Sequence, residues 1–156
     1  MLELSELDLD VIAQALGDQT DYEHLWLIDP ATGKLEFWTS DLGIDGQNPV
    51  DVDELVEERG LVIIDPLPSR VWYRDMADFA EGISDEAAGR RLTRALQGKG
   101  AFRRFKDELH QEYPELVAVW NSFGEARANR RAVEWLAEHS LVPGDAAERY
   151  PDVELP

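Results

Sequence analysis

The chain has 156 residues, no cysteine and a formal net charge of −18, from 33 acidic and 15 basic residues. This length allows one domain with a real hydrophobic core. The lack of cysteine excludes a disulfide framework, a thiolate nucleophile and a zinc–thiolate site. The start, MLELSELDLD, has neither a basic nor an apolar segment, and no apolar run approaches the roughly 20 residues of a membrane span. We therefore expect no signal peptide, no membrane partner and a cytoplasmic protein.

The negative charge is concentrated in the N-terminal half. Residues 1–68 hold 17 acidic residues against Lys34 and Arg59, whereas residues 69–140 hold 12 acidic and 12 basic residues. Such a field repels nucleic acid at long range and attracts a basic partner. The alternative interpretation is that the charge serves solubility alone. On either interpretation we do not expect a nucleic-acid partner.

The first elements in chain order are a short helix and a hairpin. Ser5 and Asp8 are N-cap candidates for a helix that ends at Gly17. Two apolar segments, Leu25–Ile28 and Leu35–Trp38, flank the turn sequence DPATG. Aspartate, proline and glycine in that order favour a tight turn, in which the Asp29 carboxylate can accept backbone N–H bonds, so these segments predict a β-hairpin.

An acidic helix and a third strand follow. The sequence VDVDELVEERG predicts a helix that ends at Gly60, and LVIID predicts a strand that ends before two prolines. The loop between the hairpin and this helix resembles an EF-hand loop at Asp41 and Asp45, but Gly43 and Val52 stand where two carboxylate ligands are needed. We predict a solvated acidic loop and no metal site; the alternative is an irregular carboxylate site that would use Asp41, Asp45, Asp51 or Asp53.

From Ser69 onward the pattern is helical. Ser69 is predicted to cap one helix and Ser84 to begin the next, and Gly98–Gly100 interrupts the pattern before a helix that ends at Pro114. A long last helix reaches beyond Leu136. The predicted fold class is α+β, with a small antiparallel sheet (the hairpin plus the third strand) packed by a C-terminal helical bundle. We expect a single domain over residues 1–142 and an acidic, proline-containing tail over 143–156.

Motifs for catalysis and nucleotide binding fail when they are checked position by position. The three histidines, His24, His110 and His139, are scattered, and no serine lies in a nucleophile elbow. A Walker A motif would need glycine at Thr93 and a hydroxyl residue at Gly100. We therefore predict no catalytic residue and no cofactor.

One segment is conspicuously basic. Residues 90–106 contain seven of the 15 bases and no acid. Helical spacing predicts that Phe102, Phe105 and Leu109 face the core. Backbone N–H groups at the helix start, together with the nearby cations, would suit a phosphate or a carboxylate. The candidate anion- or partner-binding residues are Gly98, Lys99, Gly100, Arg103, Arg104 and Lys106.

A structural alternative exists for the same cations. Arg103 and Arg104 each have an acid four residues later, Asp107 and Glu108 respectively. Pairs at this spacing meet on a helix surface. Each exposed pair contributes only about 0.2–1 kcal/mol, so pairing would neutralise the segment more than it would stabilise the fold.

Several sequence blocks resemble a bacterial family known as an uncharacterised protein family of the UPF series. In chain order they are LIDPATGKLEFW, DPLPSRVWYRDMADFAEGI, LTRALQGKGAFRRFKDEL, AVWNSF and AVEWLAEH. The resemblance covers about residues 22–140, and G-K-G-A-F-R-R-F-K-D is its most specific block. It implies no particular activity. The positions to which it points are Gly98, Lys99, Gly100, Phe102, Arg103, Arg104, Phe105, Trp120 and Trp135.

Three functional hypotheses remain open at the level of sequence. The leading one is a non-enzymatic cytoplasmic protein that engages an anionic group or a protein partner through Gly98–Lys106. A second is an enzyme acting on a phosphorylated small molecule, with the cations holding phosphate and Asp29 or Asp65 as the base. A third is an acidic neutraliser of a basic toxin or nuclease. The oligomeric state is not predicted.

Overall fold

The computed structural model describes residues 1–17, 24–41, 43–44, 51–150 and 155, in two units. The first unit comprises residues 1–67 and 129–150, and the second comprises 68–128 and 151–156. Within the described residues the elements are α1 (Leu9–Gly17), β1 (His24–Ile28), β2 (Leu35–Thr39), α2 (Val52–Arg59), β3 (Val62–Ile64), α3 (Ser69–Gly82), α4 (Glu86–Ala95), α5 (Ala101–Glu112), α6 (Val117–Glu138) and α7 (Ala146–Arg149). The predicted α+β class is confirmed.

The first unit contains a three-stranded antiparallel sheet in the order β2–β1–β3. The predicted hairpin is confirmed, and its turn has the expected chemistry. The Asp29 carboxylate accepts the Ala31 N–H at 2.9 Å, and the Asp29 carbonyl accepts the Gly33 N–H at 2.8 Å. Gly33 has a φ of 79°, in the left-handed region that favours glycine. The third strand pairs with β1 as predicted.

The acidic helix α2 packs against one face of this sheet. Asp51 caps it by accepting the Asp53 N–H at 3.0 Å, and Gly60 ends it with a φ of 68°. Leu55 of α2 joins Leu27 and Trp38 of the sheet in one buried cluster. The candidate carboxylate loop before α2 includes Asp45, which lies outside the described residues.

The second unit has its own core, built by α3, α4, α5 and the first part of α6. Phe79, Leu92, Phe105, Leu109 and Phe123 lie within it. The predicted caps of two of these helices are wrong. Pro68 occupies the N-cap of α3 and provides no side-chain acceptor, so Ser69 is the first helical residue. At α4 the cap is Asp85, which accepts the Ala88 N–H at 3.1 Å; its carboxylate takes the place predicted for Ser84.

The long helix α6 contributes residues 117–128 to the second unit and 129–138 to the first. After it, Val142 and Ala146 are buried and α7 forms one short turn within the segment predicted to be a tail. None of the described helices is both long enough and apolar enough to cross a membrane.

Candidate functional site

The turn between α4 and α5 depends on two glycines. Gly98 and Gly100 have φ values of 79° and 74°, in a region that other residues rarely adopt. Gly100 is the N-cap of α5, which therefore begins without a side-chain cap. The two glycines of the predicted site thus determine the path of the chain, and Lys99 is exposed between them.

The Arg104 side chain is hydrogen-bonded within this turn. Its Nε donates to the Ala95 carbonyl at 3.0 Å, and its two terminal nitrogens donate to the carbonyls of Gln97 and Lys99. The predicted Arg104–Glu108 pair is wrong, because all three guanidinium nitrogens donate to carbonyls of the last α4 residue and of the α4–α5 turn. Glu108 pairs instead with Arg91 of α4 at 2.6 Å.

The predicted Arg103–Asp107 pair is confirmed, but it is loose. Arg103 Nε lies 3.8 Å from the Asp107 carboxylate, and the Arg103 side chain is 89 % exposed. In the part of the chain that the structure describes, Lys99 and Lys106 form no ion pair. Three of the candidate cations are therefore available to solvent.

The prediction that Phe102 faces the core is wrong. Ala101, Phe105 and Leu109, spaced by four residues, form the buried face of α5, and the Phe102 ring lies at its edge with the residue 38 % exposed. Phe102 and Arg103 lie near Lys106 on the surface of α5, because they are four and three residues before it. Lys99 is not part of the helix: it precedes Gly100, whose φ of 74° is left-handed, and it is exposed in the turn at the helix start. We call these four residues the α5 outer face.

Phe102 and Lys106 also line a groove formed by α3, α5 and α6, with a volume of about 320 Å³. We call it the α3–α5–α6 groove. Two tryptophans, Trp72 and Trp120, supply aromatic surface. The Trp120 ring packs edge-on against the core rings of Phe79 and Phe105, at centroid distances of 5.3 and 5.1 Å. The other lining residues are Asp75, Met76, Asn121, Gly124, Glu125 and Ala128.

Asp75 is a buried carboxylate of this groove that the sequence analysis missed. The residue is only 3 % exposed. Arg127 Nη1 lies 3.8 Å from Asp75 and 2.9 Å from Asp78, and its guanidinium stacks 4.8 Å above the Phe123 ring. A signal was present: Asp75 lies between Trp72 and Phe79 at helical spacing, so a carboxylate occupies a position of the apolar stripe.

Comparison with known proteins assigns the chain to a family. The model of an uncharacterised protein family, UPF0158, matches residues 4–151. The chain belongs to UPF0158. A UPF0158 protein from Pseudomonas aeruginosa is 31 % identical over 152 residues, covering 96 % of this chain and 92 % of that protein. No solved structure matches the chain.

In this UPF0158 protein the remaining basic residues of α4 have different surroundings. Arg91 bridges Glu108 and Glu112, the latter at 3.6 Å, and lies 5.8 Å from the Tyr113 ring. Desolvation lowers the pKa of Arg91, but the charges of Glu108, Tyr113 and Glu112 outweigh it, so this pKa lies above its ordinary value. Arg91 is therefore a fixed cation that ties α4 to α5.

A larger groove, of about 510 Å³, runs along the end of α3 and along α4. It is lined by two acidic residues, Glu81 and Glu86, and by two basic residues, Arg90 and Arg94, whose charges balance. None of its lining residues is aromatic. It offers neither a net charge nor a ring for a ligand to recognise. The α3–α5–α6 groove, by contrast, is lined by aromatic rings as well as by charged residues.

The two carboxylates proposed as a catalytic base belong to the first unit of the UPF0158 chain. Asp29 is occupied by the hairpin turn, and Asp65 is exposed just after β3. The cations of the basic segment lie in the second unit. The structural role predicted for Asp29, accepting a backbone N–H in a turn, is confirmed.

Proposed function

We propose that this UPF0158 protein works by binding, and that the α5 outer face engages an acidic segment of a partner protein. The supporting observation is the ring of Phe102, 38 % exposed, beside Arg103 and Lys106 on α5, with Lys99 exposed in the turn that precedes the helix. Arg104 leaves the candidate set because it holds the α4–α5 turn. Gly98 and Gly100 leave it because they shape the same turn.

The cations and the aromatic ring have different roles in this proposal. Exposed charge pairs are worth only about 0.2–1 kcal/mol each, so the cations mainly raise the association rate and orient the partner. Affinity must come from apolar contact, and aromatic residues carry much of it at protein interfaces. Phe102, which lines the α3–α5–α6 groove and is 38 % exposed, is the side chain that can provide this apolar contact.

A second candidate function, neutralising a basic protein, is supported by a separate observation in the first unit. The five acidic residues of the segment 51–58 are all exposed: Asp51, Asp53, Glu54, Glu57 and Glu58. A partner recognised there would be basic, whereas a partner recognised by the α5 outer face would be acidic. The two functions therefore predict partners of opposite charge on different units.

Site-specific photo-cross-linking in cells tests the proposal. Phe102 is replaced by p-benzoylphenylalanine, and Phe37, 43 % exposed in the first unit, is the matched control position. We expect position 102 to cross-link to an acidic peptide with an apolar residue. The charge-reversing variants Lys99→Glu and Arg103→Glu should remove this product, whereas Arg70→Glu, at an exposed cation outside the α5 outer face, should not.

The outcomes separate the two functions. Cross-linked peptides from position 102 that are no more acidic than those from position 37, or that survive both charge reversals, contradict the proposal. A basic protein captured from a photo-cross-linker placed at Glu57, in the exposed acidic segment, supports the neutralising function instead.

A further inference from the structure

The α3–α5–α6 groove has a largely apolar lining with an open space beside one of its rings. The lining includes the rings of Trp72, Phe102 and Trp120 and the side chain of Met76. Gly124 of α6 has no side chain, and the three atoms nearest to a Cβ built there are all Trp120 ring atoms, at 3.8–3.9 Å. The glycine therefore leaves the space next to the Trp120 ring unfilled.

The α3 wall of the groove adds no net charge to it. Asp75 is paired with Arg127, and the neighbouring Asp78 is paired with both Arg127 and Arg74. Two carboxylates are thus balanced by two guanidinium groups. Because this network is satisfied within the protein, a ligand gains from the apolar surface of the groove rather than from these charges.

Two exposed residues of opposite charge give the groove a polarity. Lys106 lines it from α5 and Glu125 lines it from α6. Within the described ranges neither forms an ion pair. Lys106 lies three residues after Arg103, which is also exposed. An acidic residue of a partner is therefore attracted on the α5 side and repelled on the α6 side.

We propose that the α3–α5–α6 groove binds one large apolar side chain from the acidic segment that the α5 outer face engages. This inference rests on the proposed function and adds to it the residue of the partner that supplies affinity. Aromatic pairs gain more than their buried area alone, so the rings of the groove favour a phenylalanine. A volume of about 320 Å³, at the lower end of the range for small-molecule pockets, suits a single side chain.

Titration of the purified full-length protein with four synthetic peptides tests this inference. The parent peptide has one phenylalanine between glutamates. In the other three the phenylalanine is replaced by serine, the glutamates by glutamine, or both. The parent should bind at least about tenfold more tightly than its serine counterpart, because only phenylalanine buries a large apolar surface. The proposed function predicts separately that glutamine weakens binding.

The indole N–H signals in a nuclear magnetic resonance spectrum locate the bound peptide. Trp72 and Trp120 line the groove, whereas Trp26, Trp38 and Trp135 belong to the first unit. The parent peptide should shift the signals of Trp72 and Trp120 in a saturable way at millimolar concentrations and leave the other three in place. Saturable shifts confined to the first unit would place the binding elsewhere and overturn the proposal.

Variants at two glycines provide a matched pair. Gly124→Leu fills the groove without altering a charge, so it should remove the preference for phenylalanine but keep the preference for glutamate. Gly144→Leu is the control in the first unit, where a Cβ meets no atom within 4 Å, and it should bind as the wild type does. Gly124→Ala adds one methyl group at an ordinary contact distance and should reduce the phenylalanine preference by a smaller factor.

Glu125→Gln tests the polarity of the groove. It should strengthen the binding of the parent peptide, because it removes a negative charge that repels the glutamates. Its effect on the glutamine peptide should be small. Weaker binding of the parent peptide in this variant would contradict the predicted orientation of the acidic segment.

The results distinguish this inference from the proposed function. Equal binding of the phenylalanine and serine peptides, or a phenylalanine preference that survives in Gly124→Leu, refutes the groove as the apolar site, even where glutamate still matters. A phenylalanine preference that Gly124→Leu removes, without any dependence on glutamate, supports the groove but contradicts an acidic partner. No saturable binding of any of the four peptides at millimolar concentrations contradicts both.

Discussion

Arg103 and Arg104 are neighbours in the chain but have different roles in the structure. The Arg103 side chain is 89 % exposed and reaches one carboxylate loosely, whereas Arg104 donates to three carbonyls around the α4–α5 turn. Carbonyls at the end of a helix lack partners and carry partial negative charge, so a guanidinium suits them. A planar group with five donors can serve several carbonyls at once.

At the residue scale we predict different costs for the same substitution at these two positions. Arg104→Gln should lower the free energy of unfolding by about 1 kcal/mol or more, because several charge-assisted hydrogen bonds are lost. Arg103→Gln should change it by no more than about 0.5 kcal/mol. Urea unfolding followed by circular dichroism measures both. Equal effects would mean that Arg104 does not hold the turn.

Asp75 illustrates a second residue-scale point. A carboxylate in the apolar stripe of a helix is costly to bury unless it is paired, and Arg127 provides that pairing. The pair explains how α3 tolerates Asp75 beside Met76 and Phe79.

At the scale of elements, α4 approaches α3 closely at Gly89. A Cβ atom at Gly89 would lie 2.7 Å from the Ala80 carbonyl oxygen, a backbone atom that cannot move aside as a side chain can. Gly124, in the middle of α6, differs: a Cβ there would meet the Trp120 ring at 3.8 Å, an ordinary contact. The two glycines thus lie within helices for different reasons.

We predict that alanine has opposite effects at these two glycines. Gly89→Ala should lower the free energy of unfolding by about 1–3 kcal/mol, the usual cost of overpacking. Gly124→Ala should raise it by up to about 1 kcal/mol, since alanine favours the helix more than glycine does. Thermal and urea unfolding of both variants provide the measurement. A stabilised Gly89→Ala protein would contradict the close approach of α3 and α4.

At the scale of the whole molecule, charge separates between the two units. The first unit carries 21 acidic and five basic residues, whereas residues 68–128 carry ten of each. Like charges at this density repel one another and destabilise the folded state. The basic segment lies in this balanced stretch; with Asp152 and Glu154, the second unit as a whole has 12 acidic and ten basic residues, far closer to neutral than the first.

Salt should consequently stabilise the protein. Raising NaCl from 10 to 150 mM shortens the screening length from about 30 to about 8 Å, which weakens repulsion among the acids of the first unit. We expect the urea midpoint to rise. The double variant Glu57→Gln with Glu58→Gln should reduce the increase, because it removes two exposed charges. A midpoint that falls with salt would show that attractive pairs such as Arg91–Glu108 dominate.

Local signals in the sequence were enough to predict most of the elements. The DPATG turn, the Asp8 cap, the Gly60 stop and the glycine break before α5 each act through neighbouring residues, and each is found in the structure. Errors in the caps of α3 and α4 are shifts of one residue between adjacent candidates, since Pro68 and Asp85 take the cap positions predicted for Ser69 and Ser84.

Tertiary packing determined which residues of α5 are exposed and which residues line the α3–α5–α6 groove. Helical spacing could not tell whether the buried face of α5 centres on Phe102 or on Ala101, because both choices include Phe105 and Leu109. Packing against α3, α4 and α6 selects Ala101, and Phe102 is left exposed. The convergence of Trp72 and Asp75 with Trp120 joins residues far apart in the chain, and it exists only once the helices have packed together. The partners of Arg104 are nearer, but they depend on the path of the turn that the two glycines set.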